Sequence, residues 1–187
     1  IQSLFRIADT KYTQLERRRG RNYHQAIDDY TTAIRVANTT EIAKDLIPHA
    51  QFRIGRSYQQ MRFSQEANTS YELLRRDFPS SYEAQESSFW QALNQIARRE
   101  WGQAILQFEE YLKAMPNPKF IYIAYYKIAQ AYYQQQKFPE ARDFFDRARA
   151  LDSRYVQEDP MLLFHMGETY YENADYDVAR EIFQLRL

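Results

Sequence analysis

Four times along this chain a small residue is followed twelve positions later by alanine and, four positions after that, by an aromatic. The copies read Gly55, Ala67, Tyr71; Ala92, Ala104, Phe108; Ala129, Ala141, Phe145; and Gly167, Ala179, Phe183. A stretched copy at the front runs Ala8, Ala26, Tyr30. Repetition at this period predicts stacked helical hairpins, each able to bury its apolar face only against a neighbour. With only four Gly and six Pro in 187 residues, a sheet-rich fold full of tight turns is disfavoured.

Each unit reads as two helices. In the fourth copy Ile121, Tyr125, Ile128, Ala129 and Tyr132 fall at helical spacings and predict a helix over 121–134. Gln134-Gln135-Gln136-Lys137 covers the turn. Phe138-Pro139-Glu140-Ala141 then opens a second helix reaching Leu151, with Pro suited to a first turn where its missing N–H costs nothing. Ser64, Gly102 and Asp177 lie at or beside the start of the corresponding helices, as caps do. Pro79 and Pro116 mark helix ends, because proline restricts the residue before it. Gly or Ala on the first helix lets the second approach closely, so Gly55 and Gly167 are expected at the tightest crossings.

In this register the chain resembles the tetratricopeptide repeat. That family has Gly or Ala at position eight (Gly55, Ala92, Ala129, Gly167) and commonly Tyr at eleven (Tyr58, Tyr132, Tyr170). It has Ala at twenty (Ala67, Ala104, Ala141, Ala179) and an aromatic at twenty-four (Tyr71, Phe108, Phe145, Phe183). The resemblance implies an all-α, right-handed superhelical solenoid of about five helix-turn-helix repeats. These would form one domain over 1–187, with repeats at 1–40, 46–79, 83–117, 120–153 and 159–187. The chain starts at Ile1 and stops within a helical pattern, which suggests a fragment of a longer protein.

Three features depart from the family pattern. The key alanines at 26, 67, 104, 141 and 179 stand further apart than the family repeat, with the extra residues between repeats. Linkers such as Asp77-Phe78-Pro79-Ser80-Ser81 resemble those of bacterial envelope members, of the outer-membrane assembly lipoprotein and Tol-Pal accessory type. The first copy carries an insertion with the run Arg17-Arg18-Arg19-Gly20-Arg21. In the third copy Gln91 and Gln95 replace apolar residues. That helix is expected to rotate toward Trp90, Leu93 and Ile96; otherwise the two Gln need buried partners.

Tetratricopeptide domains meet ligands through first-helix positions two, five, nine, twelve and thirteen. Position five carries Phe5, Phe52, Phe89, Tyr126 and Phe164, all aromatic. Positions nine, twelve and thirteen add Arg56, Gln130 and Glu168; Gln59, Tyr133 and Tyr171; and Gln134. The resemblance thus implies a partner-binding groove of Phe52, Arg56, Gln59, Phe89, Tyr126, Gln130, Tyr133, Gln134, Phe164, Glu168 and Tyr171. Aromatic anchors with Gln donors suit an extended peptide or a docked helix. The position-five rings either meet that ligand or seal the seam between first helices, while Tyr133 and Tyr171 are expected to face the groove. Arg17, Arg18, Arg19 and Arg21 form a candidate anion contact or a solvated extension of the hairpin.

Zero formal net charge gives no bulk case for nucleic acid or anionic lipid. The charge is uneven: residues 1–21 are basic, and beyond Ala150 eight acids face three Arg. No apolar run approaches the roughly 20 residues of a membrane span. Lack of Cys excludes disulfides, thiolate metal sites and Cys nucleophiles. His24, His49 and His165 show no metal-ligand spacing, and nucleophile elbows and phosphate-binding Gly loops are absent. The expectation is therefore a non-catalytic scaffold without cofactor or metal that binds a protein or peptide. By its linkers it would serve bacterial envelope assembly or export, the periplasm being favoured over the cytoplasm. Two alternatives stand beside it: end-to-end self-assembly through apolar edges and opposite charges, or a regulatory arm of a larger enzyme.

Overall fold

A computed structural model describes residues 1–18, 20, 22–115 and 117–185. Among these residues there are ten α-helices and no strand. They are α1 (Gln2–Arg17), α2 (His24–Thr40), α3 (Ile47–Gln60), α4 (Ser64–Asp77), α5 (Tyr82–Ala97), α6 (Trp101–Ala114), α7 (Ile121–Gln134), α8 (Phe138–Leu151), α9 (Pro160–Glu172) and α10 (Tyr176–Gln184). Odd-numbered helices are the first members of the hairpins and even-numbered ones the second. The extra residues between repeats include two 3₁₀ turns, Lys44–Leu46 and Tyr155–Glu158. The helices divide into two compact units, Ile1–Asn94 and Gln95–Leu187.

Four hairpins close by one backbone device. Arg62, Arg99, Gln136 and Ala174 each sit in the left-handed region, at φ 65°, 61°, 59° and 61°. At each, the next residue donates its N–H five residues back: Phe63 to Tyr58, Glu100 to Gln95, Lys137 to Tyr132, Asp175 to Tyr170. The left-handed residue itself donates three back, to Gln59, Ile96, Tyr133 and Tyr171. This paired closure satisfies carbonyls that a helix end leaves open. No side-chain cap starts the following helices, whose N-caps are Phe63, Glu100, Lys137 and Asp175. Side chains do cap elsewhere, as Asp159 accepts from the N–H groups of Met161 and Leu162 at the start of α9.

The recurring small residues lie in the core. Ala8, Ala26, Ala67, Ala92, Ala104, Ala129 and Ala141 are wholly buried. In the first unit a core of Phe5, Ala8, Tyr12, Tyr23, Ala26 and Tyr30 continues to Ile47 and Ala50. In the second, Tyr126, Ala129, Ala141 and Phe145 pack with Leu162, Met166 and Tyr170. Gly55 and Gly167 mark the tight crossings as expected. A Cβ at Gly55 would stand 2.5 Å from the Tyr71 ring, and one at Gly167 would stand 2.4 Å from Phe183.

The rotation expected of α5 does not occur. Gln91 and Gln95 are buried, and Leu93 and Ile96 are only partly so. The reason is Arg75 on α4, which donates to the Gln91 amide oxygen and to Ser87 Oγ, while Gln91 Nε2 reaches Glu72 at 3.4 Å. A supplied donor removes much of the cost of burying the amide. Gln95 Oε1 has no such partner and is a buried orphan acceptor.

Candidate functional site

In the first unit, α3 presents His49, Arg53, Arg56 and Gln59 along one side, between residues of α1 and α5. Asp9 on α1 accepts from Tyr30 Oη at 2.6 Å and lies 3.2 Å from His49 Nε2. The other ring nitrogen of His49 faces Glu83 of α5 at 3.7 Å, an ion-pair distance rather than a hydrogen bond. The Asp9 carboxylate first, and Glu83 second, hold His49 protonated, raising its pKa to about 9 against a desolvation that opposes it. Burial pushes the Asp9 carboxyl upward, but the bonds from His49 and Tyr30 outweigh it and leave the pKa lowered. Glu83 is lowered too, chiefly by His49.

One turn along, Arg56 lies over Trp90, its Cζ 3.2 Å from the ring centroid. It donates to Gln59 Oε1 at 2.8 Å, and that oxygen also accepts from Tyr71 Oη at 3.1 Å. Gln59 Nε2 donates to the Trp90 carbonyl and to Asn94 Oδ1, and Asn94 in turn donates to Asn68. Trp90 Nε1 donates to Glu86. Arg53 stacks on Tyr12 with its Cζ 4.4 Å from that centroid. The hydrogen bonds that join Arg56, Gln59, Tyr71 and Asn94 hold these side chains in one arrangement.

The second unit has a smaller counterpart between α7 and α9. Tyr133 donates a short hydrogen bond to Glu168 and stacks on His165 at 4.3 Å. The amide nitrogens of Gln130 and Gln134 lie 3.4 and 3.5 Å from the two ring nitrogens of His165, and Lys127 donates to Gln130 at 3.3 Å. His165 is buried, and desolvation lowers its pKa despite Glu168 and Asp159 nearby. Desolvation lowers that of Lys127 as well.

The expected groove residues therefore divide. Arg56 and Gln59 come together in one unit, and Gln130, Tyr133, Gln134 and Glu168 in the other. Phe52, Phe89 and Tyr126 are buried at 8, 2 and 0% exposure. Phe52 packs beside Tyr71, and Tyr126 packs beside Phe145 and Tyr155 and spends its hydroxyl on the Asp152 carbonyl. Phe164 is half-buried between His165 and Phe183. Tyr171, 56% exposed, stands against Tyr176 and lines a separate hollow of about 640 Å³ with Ala179, Arg180, Phe183 and Gln184 of α10. Arg17 and Arg18 are exposed, while Arg19 and Arg21 lie outside the described residues.

Arg53, Trp90, Lys127 and His165 were not singled out as ligand-facing. All four occupy position six of the repeat register, a column whose polar and aromatic character is visible once the copies are aligned. His49 falls at position two, within the family's ligand-meeting set. Among the described residues no group of His, Asp and Glu has the geometry to hold a metal ion, and no helix is long and apolar enough to cross a membrane.

Family models of the tetratricopeptide repeat match residues 49–81 and 120–187. The search of curated proteins finds no significant match to this chain. Among solved structures the chain is similar to MamA, residue 41 to the end, from Desulfovibrio magneticus. That match has a TM-score of 0.71 at 16% identity and covers 97% of this chain and 92% of the other. BtubC from P. vanneervenii also aligns with a TM-score of 0.71 at 16% identity, over 99% and 79% of the two chains. A tetratricopeptide repeat protein from Parabacteroides merdae aligns at 0.69 and 17% identity, over 97% and 65%. At these identities the likeness speaks for the fold. The narrower resemblance to envelope lipoprotein and Tol-Pal proteins finds no support among the matches.

Proposed function

We propose that this chain, which carries tetratricopeptide repeats, is a non-catalytic scaffold that docks a partner polypeptide on the first-helix faces of its two units. The observation behind this reading is that each face carries polar and aromatic side chains already fixed across helix boundaries. Arg56, Gln59 and Trp90 do so in one unit, and Tyr133, His165 and Glu168 in the other. Side chains held in place before binding lose little entropy when a ligand arrives.

The test is photo-crosslinking from residues placed at Gln60 or Gln134 on the first helices, and at Glu109 or Asp143 on the second, in lysate of the source organism. Partner adducts from the first-helix positions support the reading. Adducts confined to the second-helix positions refute it.

A second reading, association between copies, is favoured by the α10 hollow with Tyr171, Tyr176 and Phe183 open to solvent. A shallow strip on α1 around the exposed Ile7 offers a second such surface. Arg6 and Lys11 line that strip and Arg180 lines the hollow, so apolar area rather than charge would hold such a contact. A mass that stays monomeric in light scattering as concentration rises argues against it.

A further inference from the structure

Resting on the second reading above, association between copies, we infer that the contact is head to tail. In it, α1 of one molecule sits on the α10 hollow of another as though it were the next first helix of the stack.

The outer face of α1 is built like an interior one. Positions three and ten of the repeat register lie on the side that a first helix turns to the hairpin before it. Position three holds Ala50, Ser87, Ala124 and Leu162, and position ten holds Ser57, Asn94, Ala131 and Thr169; each is at most 4% exposed. Ala33 and Ala37 of α2 share a core with Ala50, and Ala148 of α8 shares one with Leu162 and Met166. Ser87 and Asn94 bond Arg75 and Asn68 of α4. On α1 the same two positions hold Ser3 and Thr10, both exposed, with Ile7 between them at 49% exposure. A terminal repeat that ends in water normally carries a polar outer face, whereas this one is centred on an isoleucine. Ser57 and Thr169 turn their hydroxyls back onto the carbonyls of Arg53 and His165, which lets them be buried without an outside partner. Thr10 does the same to Arg6, so covering this face would strand no donor there. Lys11 at its edge is already paired with Asp29.

A second recurrence joins the two ends. Tyr12 and Tyr133, at position twelve, are each propped by a ring of the following helix, Tyr23 at 5.4 Å and Phe138 at 6.0 Å. Each is then covered by the position-six side chain of the next first helix. Arg53 lies 4.4 Å from the Tyr12 centroid, and His165 stacks on Tyr133 at 4.3 Å. In the last hairpin Tyr171 is propped in the same way by Tyr176 at 5.3 Å, yet it stands 56% exposed. The position-six residue of α1 is Arg6, also exposed. Arg6 of a second copy on Tyr171 reproduces the Arg53–Tyr12 contact. The same register brings Ile7 to Ala179 and Phe183, as Met166 packs with Ala141 and Phe145.

The two surfaces differ, so the contact is heterologous, and a molecule occupied at its head still offers its tail. Apolar area and a cation–π pair hold it rather than ion pairs, since Arg180 beside the hollow has Asp177 on its own helix. Added salt should therefore leave it largely in place.

Two variants of the full chain block one end each: Ile7→Glu with Thr10→Glu at the head, and Tyr171→Glu with Gln184→Glu at the tail, all at exposed positions. Sedimentation equilibrium over a concentration series is the readout. The parent chain should gain mass with concentration, and each blocked variant alone should stay monomeric. Their mixture should form a one-to-one heterodimer, because one keeps a tail and the other a head. Tyr171→Ala or Arg6→Ala should weaken association of the parent at least about tenfold, while Arg147→Gln on α8 should leave it unchanged. Matched circular dichroism and melting show that each variant is folded. A monomeric parent overturns both the stack and the association reading beneath it. Self-association that survives a blocked end, or blocked variants that fail to pair when mixed, overturns the head-to-tail stack and leaves association between copies standing.

Discussion

Gly55→Ala and Gly167→Ala make the same chemical change at equivalent positions of two repeats, yet the structure gives them different outcomes. At Gly55 the new methyl would sit 2.5 and 2.8 Å from two carbons of the Tyr71 ring. Ordinary carbon contact begins near 3.5 Å, so the ring must retreat by about 1 Å. It has nowhere to go: Tyr71 is wholly buried, packs beside Phe52 at 6.1 Å and hydrogen-bonds Gln59. Overpacking of this kind costs about 1–3 kcal/mol, and a disturbed buried hydrogen bond adds about 1 kcal/mol. Replacing a mid-helix glycine by alanine returns about 1 kcal/mol. The net is a loss of about 1–3 kcal/mol.

At Gly167 the methyl would come closer still, 2.4 Å from Phe183. That ring, however, is 37% exposed and can swing toward water. The helix-propensity gain then nearly offsets the lost contact, and the net change is within about 0.5 kcal/mol. Thermal unfolding by circular dichroism should separate the variants, at about 2–4 °C per kcal/mol for a chain of this size. Amide hydrogen exchange should place the Gly55→Ala loss in α3 and α4. Equal losses, or a larger loss at Gly167, would refute the argument, because distance alone would then outrank the mobility of the neighbour.

Other expectations are as specific. His49 is raised to about 9, so its contribution to stability is complete below about pH 6.5 and disappears as pH rises through 9. Asp9 and Glu83 are depressed and lose theirs as pH falls below about 4; His49→Gln should remove the alkaline decline in melting temperature. His165 is depressed by burial, so the second unit should weaken as pH falls below about 6.5, and His165→Gln should flatten that slope in hydrogen exchange of α9. Gln136→Gly relieves a left-handed residue that carries a side chain and should stabilise by about 1 kcal/mol in chemical denaturation. Gln59→Ala leaves Tyr71, Asn94 and Arg56 without their shared amide and should cost about 1–3 kcal/mol.

The fold was legible because its determinants are local and repeated. Ile121–Gln134 and Phe138–Leu151 begin and end where apolar spacing and the Phe138-Pro139 start place them. Gly55 and Gly167 were readable as close crossings because a glycine inside a helix is disfavoured unless space requires it. The hairpin closures were not readable. Arg62, Arg99, Gln136 and Ala174 share a left-handed backbone, but none is the glycine or asparagine that advertises one. The orientation of α5 was missed for a related reason: burial of Gln91 depends on Arg75, a donor on another helix that no pattern within α5 reveals.

Legibility of the candidate site stops at the same boundary. The repeat register names columns, and a column predicts which way a side chain leaves its helix. It cannot say whether an aromatic there meets a neighbour or a ligand. Phe52, Phe89 and Tyr126 share a column with the half-buried Phe164, yet the first three are closed off by packing. Charge behaves similarly. His49, Arg53 and Arg56 are three cations on one helix, equivalent in any count of formal charge. Their environments distinguish them, since Asp9 and Glu83 converge on His49 from different helices and leave the two arginines on aromatic rings. Recognition by such a scaffold would thus depend less on the total charge of a face than on which charges its own neighbours have already neutralised.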